Sequence, residues 1–351
     1  MTVYPVRHSL IREEESILAT LTGRRLLLFG ASMAMAALIT DQARADFAKG
    51  DIFAAVGDGK VNIFDSSGTF LQQLDDTTGA TFTTGMTFDK AGNLYVTNFS
   101  SQSISQFNVH GGLTNATWAS GLTNTPESIV FNKANTAAYV GGAHGGNIEA
   151  LDASGHITST ISPGGDWVDL AADQHTLLYS AEGTTIASAD INGTANPDFA
   201  TGLPGSNDYA LRILTNGDVL VADTDRVLEL DSSGNVINTY CLGTTCNASG
   251  VAVLFALNVL PDQKSFLTGD LDTGMIYQVN IATGALEMSF SGLNGGTGTL
   301  AGLAVFGEFQ AGGGGGGSTT PEPGTLMLLA MGIGVFAIVT IRRRVSSHHR
   351  S

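Results

Sequence analysis

From residue 84 to residue 309 one layout keeps returning. GMTFDKAGNLYVTNFSSQSISQFN, SIVFNKANTAAYVGGAHGGNIEALD, DLAADQHTLLYSAEGTTIASAD, LRILTNGDVLVADTDRVLELD and LNVLPDQKSFLTGDLDTGMIYQVN each pass from a short apolar run through a polar turn to a β-branched or aromatic run, then a second turn and an alternating run. Anchors at Phe88, Phe131, Ala172, Leu214 and Leu260 are 43, 41, 42 and 46 residues apart, and Val305 follows after 45. A fixed period of this length marks a chain built from repeated supersecondary units.

The last copy stops after one strand, AGLAVFGEF, while the chain upstream of the first copy supplies the three strands it lacks: residues 51–57, 59–65 and 69–75. Two complementary part-units imply a ring, whereas a stacked solenoid would need polar caps at its ends. The predicted fold is therefore all-β: a six-bladed β-propeller of four-stranded blades, closed by the C-terminal strand. DSSG at 65–68, DASG at 152–155, DING at 190–193 and DSSG at 231–234 recur where third strands turn into fourth strands, with an acid opening each turn and Gly where φ must be positive. The acidic loops DTDR at 223–226 and DLDTG at 270–274 lack the spacing of an EF-hand loop and read as solvated turns.

Both ends of the chain read as targeting segments. Arg24 and Arg25 precede the apolar run 26–39, and Ala43 and Ala45 offer the small residues that signal peptidase reads, so 1–45 is expected to be a signal peptide cleaved before Asp46. GRRLLLF also resembles a twin-arginine signal, leaving two export routes open; Glu13 to Glu15 are unusual in such a leader, and an upstream start assignment would account for them. At the other end, residues 324–341 carry no charge and would span about 27 Å as a helix, close to a bilayer core of roughly 30 Å. Arg342, Arg343 and Arg344 follow and hold that end in the cytoplasm, which leaves the body outside. The expected domains are 1–45, the propeller at 46–309, a Gly-rich linker at 310–320 and a sorting segment at 321–351.

Charge narrows the partners. Residues 46–320 hold 7 Lys and Arg against 27 Asp and Glu, a net charge of −20, which disfavours nucleic acid and anionic membrane surfaces. Cys241 and Cys246 are the two cysteines, five positions apart around Gly243, and in an exported chain they are expected to form a local disulfide.

Two resemblances rest on these residues. GMTFDKAGNLYVTN, with ISQFN after it, resembles the NHL-type and gluconolactonase-like six-bladed propellers. Pro321-Glu322-Pro323, the apolar segment and Arg342 to Arg344 together resemble the PEP-CTERM sorting signal of exopolysaccharide-producing Gram-negative bacteria. The second resemblance implies an exosortase-type membrane enzyme as processing partner. It also implies an outer-envelope or extracellular destination once the membrane-tethered form has been cut.

The first resemblance implies, for gluconolactonase-like members, a divalent cation held at the channel mouth by Glu, Asn and Asp side chains from different blades. The corresponding row here, four residues before each anchor, is Thr84, Glu127, Val168, Ala210, Ala256 and Ala301. One carboxylate in six argues against that centre, so no metal, cofactor or catalytic residue is expected; a register change of one or two residues would bring Asp169 and Asp208 beside Glu127 as channel-mouth ligands. His110, His144, His156 and His175 fall in turns without metal-ligand spacing. The expected function is non-catalytic binding or scaffolding, with polysaccharide or an envelope protein as ligand in a biofilm setting. The alternative is a propeller hydrolase or lyase acting on a sugar lactone or other matrix component.

Overall fold

A computed structural model of the chain describes residues 46–242, 246 and 253–313. The expected signal peptide, apolar tail segment and sorting residues lie outside the described residues, and no helix among the described residues is long and apolar enough to cross a membrane.

Blade 1 begins with β1 (Ile52–Gly57), β2 (Lys60–Phe64) and β3 (Phe70–Asp75). Blade 2 is β4 (Thr83–Phe88), β5 (Leu94–Asn98), β6 (Ser103–Phe107) and β7 (Leu113–Ser120); blade 3 is β8 (Pro126–Phe131), β9 (Ala137–Gly142), β10 (Ile148–Asp152) and β11 (Ile157–Ile161). Blade 4 holds β12 (Trp167–Leu170), β13 (Thr176–Ser180), β14 (Thr185–Asp190) and the two-residue β15 (Ala200–Thr201). Blade 5 holds β16 (Asp208–Ile213), β17 (Val219–Asp223), β18 (Arg226–Leu230) and β19 (Val236–Cys241). Blade 6 holds β20 (Leu254–Val259), β21 (Ser265–Asp270), β22 (Met275–Asn280) and β23 (Leu286–Ser291).

The final strand, β24 (Gly302–Val305), returns to blade 1 and gives the sheet order β24-β1-β2-β3. Its register pairs Ile52 with Val305, Phe53 with Ala304, Ala54 with Leu303 and Ala55 with Gly302. The inner strands β4, β8, β12, β16, β20 and β24 contact one another in cyclic order. The ring is thus the six-bladed propeller that the repeat implied, closed at the blade where the part-units meet. Inner strands are buried along their whole length and outer strands such as β3 and β19 are largely exposed, as a ring of stacked sheets requires.

Closure is secured by aromatic packing. Phe53 stacks edge-on against Phe47 and Phe88 at 4.8 and 5.0 Å, and Phe88 against Phe306 at 5.1 Å. Full burial of each such ring contributes about 2 kcal/mol, and edge-to-face pairing adds roughly 1 kcal/mol per pair. Two glycines let the inner strands approach: a Cβ on Gly302 would lie 1.9 Å from the Thr84 carbonyl oxygen, and one on Gly85 would lie 2.5 Å from that of Glu127. Side-chain hydrogen bonds staple neighbouring blades. Ser128 donates to the Asp166 carbonyl at 2.8 Å, Asn258 to Leu303 at 2.8 Å and Ser180 to Tyr209 at 2.7 Å.

The third-to-fourth-strand turns behave as their composition predicted. Gly68, Gly155, Gly193 and Gly234 all have positive φ, and each donates back to the carbonyl of the Asp that opens its turn. The carboxylates of Asp65, Asp152, Asp190 and Asp231 accept the amide two residues on, at 2.8–2.9 Å. Cys241 and Cys246 are disulfide-bonded, with Cα atoms 5.0 Å apart.

Candidate functional site

The ring has two faces. On the upper face the chain enters each inner strand, and the second strand of each blade turns into the third; the lower face carries the other turns. At five of the six second-to-third-strand turns on this face the chain places a non-glycine residue at positive φ: Asp58 (53°), Gln102 (50°), His144 (59°), Glu182 (52°) and Thr224 (55°). Holding such a residue in the left-handed region costs about 1 kcal/mol, and strain of this kind clusters at binding surfaces.

Buried carboxylates also collect on this face. Glu127, the second residue of β8, is 4 % exposed, and Asp166, just before β12, is 0 % exposed. The Gly85 contact fixes the backbone of Glu127, while Ser128 fixes that of Asp166 by donating to its carbonyl and accepting from Val168 N–H at 3.0 Å. Asp166 N–H donates to the Ser180 carbonyl at 2.8 Å, and its Oδ1 accepts from Gly145 N–H at 2.7 Å. Glu182 joins the pair from the β13–β14 turn, and one oxygen from each of the three carboxylates lies within 4.8 Å of the others. Asp208 N–H donates to the Gly183 carbonyl at 2.7 Å, and the Asn207 amide donates to the Glu182 carbonyl at 2.9 Å, so blade 5 holds this turn in place. His144 Nδ1 stands 3.9 Å from Glu182 at the rim.

Burial, then the charges of Asp166 and Glu182, push the Glu127 carboxyl well above its ordinary range. Burial pushes Asp166 up to about 6 against the opposing hydrogen bond from Gly145, and Glu182 adds to the rise. Glu127 Oε2 and Asp166 Oδ2 are buried without a hydrogen-bond partner.

The residues read from sequence as channel-mouth ligands part company here. Asp208 is on the upper face, but it sits across the ladder from Asp223, and burial followed by that neighbour pushes it up to about 8. Asp169 belongs to the opposite end: its oxygens accept from Leu170 and Ile213 N–H at 2.9 Å, burial raises its carboxyl against the Arg212 charge, and its own charge raises that of Glu308. The structure therefore brings Glu127 together with Asp166 and Glu182, and not with Asp169 and Asp208. The axial row itself sits on or beside the inner strands, every member buried.

The acidic loops need a correction. Asp223 and Asp270, read as parts of solvated turns, are 0 % exposed. Each ends the second strand of its blade, and its carboxylate caps loop amides: Gly205 N–H donates to Asp223 at 2.9 Å and Asp272 N–H to Asp270 at 3.0 Å.

The lower face is covered by the chain itself. After β24, residues 306–313 run beneath the inner strands, with Gln310 donating to Thr87 of blade 2, Gly313 bridging to Asn132 of blade 3 and Gln174 of blade 4 donating to the Gly312 carbonyl. Gln310 is 4 % exposed, so packing continues into the segment read as linker. Glu308, within this crossing, is buried; burial pushes its carboxyl up to about 7, Arg212 opposing and Asp169 reinforcing the shift.

This architecture defines the class: a six-bladed propeller with a carboxylate-lined upper face and a lower face closed by its own C-terminal segment. Residues 319–344 match the PEP-CTERM protein-sorting motif, a span that contains Pro321, Glu322, Pro323 and Arg342 to Arg344. The motif implies that the chain is exported, anchored in a membrane and then processed by an exosortase. Among solved structures, the chain is similar to one in a nidogen/laminin complex, at 16 % identity and TM-score 0.59 over 72 % of this chain and 97 % of that one. It is also similar to the WD40 β-propeller domain of Doa1, at 14 % identity and TM-score 0.53 over 71 % and 82 %. Such likenesses carry the propeller fold alone. No curated protein matches the sequence.

Proposed function

We propose that this protein is a non-catalytic binding or scaffold module of the cell envelope or extracellular matrix, which displays its upper face to a polysaccharide or an envelope protein. The observation that carries this reading is the placement of the ends. Phe47 packs against Phe306, and the last described residue, Gly313, pairs with Asn132 on the lower face, so a tether continuing from there would start on the side opposite the carboxylate cluster. A membrane-tethered ring held this way turns its carboxylate face outward. Export would use residues 1–45 as a signal peptide cleaved by signal peptidase before Asp46, and burial of Phe47 directly after that point supports a body beginning there.

The test is a binding titration of the exported protein against exopolysaccharide from its producing cells, with lactone and glycan turnover followed in parallel. Saturable binding without turnover is expected. Turnover of a lactone or glycan would replace this reading by the propeller hydrolase or lyase. The convergence of the Glu127, Asp166 and Glu182 carboxylates on the upper face, within 4.8 Å of one another, is the observation that favours that second reading.

A further inference from the structure

We infer that Glu127, Asp166 and Glu182 form a binding site for one divalent cation of the calcium class, set between blades 3 and 4 on the upper face. The inference goes beyond the proposed binding role, because the ion would be held whatever the face recognises.

Geometry comes first. Calcium takes oxygen ligands at about 2.3–2.6 Å, so two ligands on opposite sides of one ion are roughly 5 Å apart. The three carboxylates, with one oxygen each inside 4.8 Å of the others, fit around a single ion. Used bidentately they supply up to about six oxygens, and the partly exposed side of Glu182 leaves room for water to complete the shell. An all-oxygen anionic set selects a hard cation over zinc or copper, which favour imidazole and thiolate.

Unmet hydrogen-bonding capacity is the second observation. Glu127 and Asp166 are more than nine-tenths buried; their carboxylates converge on each other and on Glu182, and each keeps one buried oxygen, Oε2 or Oδ2, without a hydrogen-bond partner. Among the described residues, no Lys or Arg forms an ion pair with any of the three. Buried anionic oxygens are ordinarily paired or bound to metal. The ligands are also held ready: Asp166 by Ser128, Gly145 and Ser180, and the Glu182 turn by Asn207 and Asp208.

The site is not the axial ring of side chains that the gluconolactonase resemblance implied. Five of the six positions in that row carry no carboxylate, and two of the three ligands here stand outside it, one of them on a hairpin turn.

The experiment uses the full-length protein, freed of metal with a chelator, and CaCl2 as the only added ligand. Calorimetry should give one site with a Kd of about 0.1–1 mM, the range of extracellular calcium modules. Thermal unfolding at 10 mM CaCl2 should shift up by roughly 5 °C. Glu182→Gln, at a partly exposed turn where folding is least at risk, should weaken binding at least tenfold while leaving the metal-free transition in place. Asp58→Asn, on the corresponding exposed turn of blade 1 and outside the cluster, should bind within twofold of the original. Absence of both heat and thermal shift at 10 mM CaCl2, or unchanged affinity in Glu182→Gln, would overturn the assignment. Failure of polysaccharide binding in a protein that binds calcium would count against the binding role alone.

Discussion

The side-chain amide of Gln310 donates to the Thr87 hydroxyl at 3.0 Å across 223 positions of sequence, tying the segment after the last strand to the inner strand of blade 2. The bond is buried and belongs to a crossing that closes the lower face. Gln310→Ala should therefore loosen residues 306–313 without unfolding the ring. Loss of such a bond costs about 1 kcal/mol. Chymotryptic cleavage after Phe309 should speed up several-fold while the global unfolding midpoint moves little; unchanged cleavage would show that the crossing does not depend on this bond.

Ring closure is open to a steric test. A side chain at Gly302 meets the Thr84 backbone, whereas Gly183 has open space around its Cβ direction. Gly302→Val should destabilise the domain by about 3 kcal/mol and promote aggregation through the opened strand edges. Gly183→Ala should stay within about 0.5 kcal/mol. Urea unfolding of the two variants makes the comparison.

Removing the Cys241–Cys246 bond by a double serine substitution should cost only about 2 kcal/mol, since the loop it closes is short. Alkylation of the exported protein before and after reduction reports the bond directly: both thiols should be protected until reductant is added.

The Asp208–Asp223 pair predicts a pH dependence. Asp208 titrates near 8 in the folded ring, against an ordinary carboxyl value of 3.8 when unfolded. Between those values the native state binds the extra proton, so stability is greatest near the acid end of the window and falls as pH rises toward 8. Asp208→Asn should make the slope shallower, Asp166 and Glu308 supplying the remainder through their own raised carboxyls, and stabilise the protein at pH 8 by about 2 kcal/mol. Denaturant midpoints at pH 5 and pH 8 give the sign, and a wild-type midpoint that rises with pH would contradict it.

Replacing Pro321, Glu322 and Pro323 by alanine keeps the apolar segment and its arginines but removes the tripeptide that opens the sorting motif. In an exosortase-bearing host the variant should accumulate uncut in the membrane, while the original yields a product lacking Arg342 to Arg344. An intact C-terminus on the mature original, seen by mass spectrometry, would contradict processing.

The ring was legible because its signals are local and repeated. Alternating runs, Asp-to-Gly turns and the complementary part-units at 51–75 and 301–309 all survive reading one segment at a time. Glu127 was found for the same reason, through its fixed offset from a strand anchor. Asp166 and Glu182 were not, because their meeting depends on where a loop before β12 and a turn after β13 come to rest across a blade boundary. Aligning the second-turn residues of the repeats, Asp58, Gln102, His144, Glu182 and Thr224, would have exposed one of them. The burial of Asp223 and Asp270 was hidden too: an acid at the end of a strand looks the same in sequence whether it faces water or caps an interior loop.

The crossing of residues 306–313 also decides how the molecule bears force. A pull on the tail enters the body at Gly313 and is met first by the Gly312 and Gln310 hydrogen bonds to blades 4 and 2. Load that passes them runs lengthwise along β24, so the four residue pairs it makes with β1 are sheared together and not peeled one after another. A ring drawn against flow by a ligand above and a tether below would thus resist at its closure as a unit, and the fastening that completes the fold is the one placed in line with the strain.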